Sequence, residues 1–353
     1  MVERSSATRR HRDTIENVKE IQVQVMRIHN IRLGIAALVL TALSASPALA
    51  QDAKAAEVLA AARKAIGGSK LDALKSLSVE ASIQRNVGNM QMQTESEMLV
   101  EMPDKYVRSD ASSGPMQMKF TTGFNGDRAI LPAGASAVPG GGFMIRMGPG
   151  AAHADPHAEK PTPEQVAELN RVSVRNYRQE ISRMMLGWFA AAHPSIKAQY
   201  TYAGEAESPD GKAHIIDVKD EDGFSARLFI DQNTKLPLMV TYKGRLPRMV
   251  TNTEGGRGGD RQTRAQQLSE EAARKVREDQ NKRVEELKTA TAHPSPMVDF
   301  TLYFEDWREV DGINFPHIVR RANEGTTNEE WKINKVKVNP KIDAKKFAVS
   351  TTN

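Results

Sequence analysis

Cysteine is absent from the 353 residues. Its absence excludes disulfide staples, thiolate metal ligands, a thiol nucleophile and a lipid-modified N-terminal cysteine. Aromatic side chains are scarce, at 5%. The apolar run Leu33–Ala45 has 13 residues, short of the ~20 that a membrane-crossing helix needs. The signatures of common catalytic sites are missing too. There is no Gly-x-Ser-x-Gly elbow, no His-Glu-x-x-His zinc helix, no phosphate-binding glycine loop and no dinucleotide fingerprint. With no nucleophile–base arrangement in the sequence, the chain reads as non-enzymatic, without cofactor or metal site, and a hydrolase of some envelope component is the third and last reading, since two carboxylates can converge in space without a sequence motif.

What is present begins with an export signal. Arg27 and Arg32 form a basic start, Leu33–Ala45 an uncharged apolar stretch, and Pro47 precedes the small-x-small sequence Ala48-Leu49-Ala50. This is the tripartite pattern of a secretory signal peptide at 26–50, with cleavage expected after Ala50 and a periplasmic destination. Met1–Val25 is polar and without core pattern; it is read either as upstream of the true start at Met26 or as a long n-region. Residues 1–50 carry seven Lys/Arg and four Asp/Glu, which leaves 42 basic and 40 acidic residues, a net charge of +2, beyond Ala50. That balance gives no footprint for nucleic acid.

Beyond the leader, residues 51–353 read as one domain. Ala55–Ile66 has helical periodicity and stops at Gly67-Gly68. From Leu77 the period becomes two, with Leu77, Val79, Ala81 and Ile83 on one face, and the alternation continues through Asn89–Met102. Further strands are expected at Lys105–Asp110, Met116–Phe124, Arg128–Leu131, Ala198–Glu205, Lys212–Lys219, Ser225–Asp231, Leu236–Lys243, Met297–Asp306, Phe315–Ala322 and Asn328–Val338. Glu164–Ala191 is an amphipathic helix whose stripe is Val174, Tyr177, Ile181, Met184, Met185 and Trp188. Pro132–Pro163 is rich in Gly, Ala and Pro and reads as a mobile loop. Gly255–His293 is an insertion: a glycine cluster, then the charged helix Arg264–Lys288 with a thin apolar stripe. Roughly eleven strands with short links imply an antiparallel sheet. A sheet that long curls, and a helix plugs its open side. The expected fold is mainly β (α+β): a curved antiparallel sheet forming an incomplete β-barrel around a helix.

Methionine supplies the clearest candidate site. Met90, Met92, Met98, Met102, Met116 and Met118 share one strand parity, and Met184 and Trp188 sit on the helix that would face them. Flexible thioethers suit a cavity that adapts to variable acyl chains, and they equally suit ordinary core filling. His153, Asp155 and His157 carry ligand chemistry but lie in a stretch without fixed geometry, so no metal site is assigned. His193 and His293 precede prolines and read as turn residues. Asp217, Asp220, Glu221 and Asp222 read as a solvated hairpin tip. Between Glu254 and His293 nine basic residues face eight acidic ones, a balance unlike a membrane or nucleic-acid anchor.

Several strings resemble the LolA/LolB-like superfamily of periplasmic lipoprotein-sorting and carrier proteins. They are Ala65-Ile66-Gly67-Gly68, Gly123-Phe124-Asn125-Gly126, Leu228-Phe229-Ile230-Asp231, Thr234-Lys235-Leu236-Pro237, Asp311-Gly312-Ile313-Asn314-Phe315-Pro316, and Asn339-Pro340-Lys341-Ile342-Asp343 followed by Phe347. The resemblance covers Ala55–Val349 apart from the loop and the charged insertion. The chain departs from it in that insertion, in lacking cysteine and in its few aromatics. The resemblance implies an unclosed barrel with a helical lid, holding a lipid, an acyl chain or a lipoprotein tail in outer-membrane lipoprotein sorting. The alternative is an envelope sensor or scaffold that takes a protein partner on 264–288.

Overall fold

The computed structural model describes residues 47–87, 90–112, 119–132, 135–138, 142–145, 162–209, 211–245 and 296–349. The leader up to residue 46, Met116, Met118, the His153/Asp155/His157 segment, and the insertion with its helix 264–288 lie outside the described residues.

A helix α1 (Pro47–Ile66) and a single turn α2 (Ser69–Asp72) precede five strands. These are β1 (Ser76–Val87), β2 (Met90–Glu101), β3 (Lys105–Ser112), β4 (Lys119–Asn125) and β5 (Arg128–Ile130). A small hairpin, β6 (Ala135–Val138) and β7 (Gly142–Ile145), leads to helix α3 (Pro163–Phe189). Next come β8 (Gln199–Ser208), β9 (Gly211–Lys219), β10 (Ser225–Asp231), β11 (Pro237–Arg245), β12 (Met297–Val310), β13 (Ile313–Asn323) and β14 (Thr326–Val338), then a 3₁₀ turn at Ala344–Phe347. Twelve strands form one antiparallel sheet in the order β5-β4-β3-β2-β1-β14-β13-β12-β11-β10-β9-β8. β5 and β8 are its edges, so the barrel is incomplete, and α3 packs on strands from both halves.

Two expectations are corrected. The described residues hold fourteen strands, two more than the twelve segments expected, and those two are the β6–β7 hairpin within Pro132–Pro163, which is therefore not loop throughout. Glycine-rich sequence hid that hairpin, because it lacks the apolar alternation that marks a half-buried strand. α1 begins eight residues before Ala55. Gln51, Asp52 and Ala53 are exposed, and the buried stripe starts at Ala55 and runs through Val58, Leu59, Ala62 and Ile66, so periodicity first shows there.

The strands form where side chains alternate. In β1 Leu77, Val79, Ala81 and Ile83 are buried, and in β10 Ala226, Leu228 and Ile230 alternate with exposed Ser225 and Arg227. The links use short polar side chains. Asp231 Oδ1 accepts from the amides of Asn233 (2.9 Å) and Thr234 (2.6 Å), and Asp220 Oδ1 accepts from the Phe224 amide (2.6 Å), closing the β9–β10 hairpin whose tip is exposed. Asn339 joins the end of β14 to the start of β1: its Oδ1 accepts from the Lys75 amide (2.6 Å) and its Nδ2 donates to Ala73 O (3.1 Å).

α3 starts in a capping box. Thr162 Oγ1 accepts from the Gln165 amide (3.3 Å) and Gln165 Oε1 accepts from the Thr162 amide (2.9 Å), with Pro163 in the first turn. All six residues of the expected stripe are buried. The helix rests so closely on β12 that a Cβ on Gly187 would lie 1.9 Å from Phe304 Cζ. A second, smaller apolar cluster, Leu99, Val107, Ile130 and Phe347, lies apart from the main core and is closed by the C-terminal 3₁₀ turn.

Candidate functional site

Helix α3 and one face of the sheet share a single apolar cluster, and the candidate residues distribute over it unequally. Met98, Met184 and Trp188 are buried within it, and Met102 is half-buried against it. The Trp188 ring packs on Phe315, with centroids 5.2 Å apart. Met92 lies opposite Arg85 in the β1–β2 register and is 36% exposed. Met90 lies opposite Val87 at the start of β2. The structure thus joins the helix residues to Met98 and Met102, and sets Met92 at the rim.

The same face carries charge towards that rim, and the apolar parity of three strands ends in it. In β1 the series Leu77, Val79, Ala81, Ile83 runs into Arg85; in β14 Trp331 and Ile333 share parity with Glu329; in β3 Tyr106 shares parity with Arg108. Glu329 is 2% exposed and lies directly opposite Arg85 on one neighbouring strand and Arg321 on the other. It accepts from Arg85 Nε (2.7 Å) and from the Trp331 indole, and forms an ion pair with Arg321 Nη2 (3.2 Å). Burial pushes its pKa up, but Arg321, Arg85 and Arg108, with the indole bond, outweigh this and hold it at about 2.

Arg108 continues the lattice onto the helix. Its Nε donates to Asp110 Oδ1 (2.8 Å) and its Nη1 to Glu180 Oε1 (3.1 Å), while the guanidinium lies over the Trp331 ring at 4.4 Å. Burial lowers its pKa, but Asp110 and Glu180 raise it by more, so it lies above the usual arginine value. Arg183 of α3 sits 4.2 Å over the Tyr242 ring, and Tyr242 stacks on Phe300 at 5.3 Å and 15°. Arg321 lies over that same Phe300 at 5.7 Å. Three guanidiniums (Arg85, Arg108 and Arg321) therefore pair with three carboxylates (Asp110, Glu180 and Glu329), and a fourth, Arg183, lies over the neighbouring Tyr242 ring. Sequence reading missed this lattice. Its signal was a charged residue standing on an apolar strand parity.

Two other places lie outside this lattice. His193 is buried, its Nδ1 bridges Ser195 Oγ (2.7 Å) and accepts from the Ser195 amide (3.2 Å), and so it shapes the turn after α3, as its position before Pro194 implies. A cleft of about 400 Å³ lies between α1 and β8, lined by Asp52, Ala56, Leu59, Gln199, Tyr200 and Thr201. Among the described residues there is no cluster of three or more metal-ligating side chains, and no helix is long and apolar enough to cross a membrane.

No protein-family model and no curated protein matches the chain. Solved structures similar to it include a LolA superfamily protein from Nitrosomonas europaea, at 10% identity over 83% of this chain and 97% of that one, with a TM-score of 0.42. Another is a domain assigned to outer membrane lipoprotein sorting from Vibrio parahaemolyticus, at 10% identity, 84% and 97% coverage and a TM-score of 0.37. A DUF1329 family protein from Desulfovibrio piger matches at 10% identity, 83% and 97% coverage and a TM-score of 0.34.

Proposed function

We propose that the chain is an exported, non-enzymatic binding protein that holds the apolar tail of a lipid or of an acylated protein between the sheet and helix α3. The observation that carries this reading is the inner face itself. A sheet open at both edges presents one continuous apolar surface to a single amphipathic helix, with methionines from its interior (Met98, Met184) to its rim (Met92). Each methylene of a tail taken into such a surface contributes roughly 0.8 kcal/mol, and thioethers adapt to tails of different shape. Access would come by movement of α3. Its first two turns are exposed, while its second half is buried.

The test is binding of a fluorescent fatty-acid probe to the purified exported protein, with Met92→Asp as the variant. Met92 is exposed enough to accept a carboxylate without unfolding the chain. Saturable binding, weakened at least several-fold in the variant, supports the reading. A folded wild-type protein that leaves the probe free in water would overturn it.

A further inference from the structure

We infer that the sheet face turned away from α3 is a docking surface across β9–β12, and that its occupant is segment 264–288 of this same chain. This goes beyond the proposed function and does not depend on it. Ile215, Phe229, Met239 and Tyr303 stand on consecutive strands in one row: Phe229 lies opposite both Ile215 and Met239, and Met239 lies opposite Tyr303. All four are half-buried, yet none belongs to either apolar cluster. Their chain neighbours Ile216, Leu228, Val240, Leu302 and Phe304 are buried in the main cluster, so strand alternation turns the four to the opposite face. Paired charges flank the row, Arg227 with Asp217 (2.7 Å) on one side and Arg320 with Glu330 (2.9 Å) on the other. Elsewhere this face is polar: Glu80 of β1 lies opposite Glu97 of β2 and Lys335 of β14. An apolar row rimmed by charge is the pattern of an interaction site.

The occupant follows from where the chain leaves the sheet. Met239 and Tyr303 belong to the two strands that residues 246–296 connect, and Arg245 lies opposite Met297 at their shared end. On both strands the row is six residues from that end, about 20 Å. Eighteen residues, 246–263, precede the segment and eight, 289–296, follow it. Extended chain of those lengths spans about 60 Å and about 27 Å, so both links reach the row. The segment spaces Ala265, Leu268, Ala272 and Val276 at three and four residues, which is one stripe of a helix. Such a stripe is about 16 Å long, and the three strand spacings from Ile215 to Tyr303 come to about 14 Å. A thin stripe suits a row one residue wide, and the charges on the rest of the segment stay in water.

Because the chain has no cysteine, a pair introduced for cross-linking has no background. In the purified full chain, Met239→Cys with Ala272→Cys should be joined within one molecule by a short bismaleimide. Glu97→Cys with Ala272→Cys should not, although Glu97 is 37% exposed on the polar part of the same face. Oxidation of Met239 by peroxide, read peptide by peptide, is a second measurement that needs no thiol. Leu268→Asp with Val276→Asp should speed it several-fold and leave buried Met98 and exposed Met297 unchanged, whereas an unfolded variant would expose Met98 as well. Cross-links between molecules rather than within them would give the face to a second copy and overturn the assignment of its occupant. Absence of any cross-link, equal cross-linking of the two pairs, or Met239 oxidation unchanged by the aspartates would overturn the inference.

Discussion

Replacing Glu329 by glutamine removes one negative charge from the centre of the rim while keeping the shape and an acceptor for the Trp331 indole. A carboxyl whose pKa falls from 4.5 to about 2 on folding contributes roughly 3 kcal/mol at neutral pH. The cost of breaking a buried ion pair, about 3–5 kcal/mol, agrees in size. The sign follows from the direction of the shift. A depressed pKa gives stability that is complete above the unfolded value and is lost as pH falls from 4.5 towards 2. Urea unfolding of wild type and Glu329→Gln at several pH values isolates the effect, since the other carboxylates titrate in both proteins. The difference should be about 3 kcal/mol at pH 7 and about 2 kcal/mol at pH 3.5. A gap below about 1 kcal/mol at pH 7, or one that does not change with pH, would refute this account of the lattice.

Three further outcomes follow from particular contacts. Gly187→Ala should destabilise by about 1–3 kcal/mol despite alanine's better helix propensity, because its Cβ would meet Phe304; thermal melting reads this, and an unchanged melting temperature counts against the close packing of α3 on β12. Asn170 clamps the β4–β5 turn, accepting from the Ala129 amide (2.7 Å) and donating to Asp127 O (2.7 Å). Asn170→Ala should cost about 1–3 kcal/mol and speed hydrogen exchange at the β5 amides, whereas unchanged exchange would deny the clamp. His193 is held at a pKa of about 4 by burial first and by Arg178 second. It should stay neutral in an NMR titration until well below pH 6, and the stability it contributes should fall between about pH 6.5 and 4. Titration near 6.5 would place it in solvent.

Most of the fold was legible because the half-buried strands advertise their faces. Leu77, Val79, Ala81 and Ile83 alternate with polar residues, and α3 spaces Val174, Tyr177, Ile181, Met184, Met185 and Trp188 at three and four; all are buried. Several of the strings that resembled a family are joints of the fold. Gly123 passes so close to β3 that a Cβ would lie 2.0 Å from Tyr106 O; Asn314 Nδ2 donates to Ala65 O (2.9 Å); and Asn339 ties the end of β14 to the start of β1. The site was less legible. Methionines on one parity showed which face is apolar, but parity does not say how far along a strand a residue is covered, so Met98 and Met92 looked alike. One is buried, and the other stands at the rim. The arginine–carboxylate lattice was invisible because its members come from five separate segments and are brought together by strand register and by α3.

The central claim is that the inner face takes an apolar tail, and native mass spectrometry of the protein purified without detergent tests it most directly. The account predicts a reproducible added mass that matches a lipid or acylated species and is lost on organic extraction. A clean mass of the bare chain, unchanged after incubation with phospholipids and acylated peptides, would contradict it and leave that face as ordinary core.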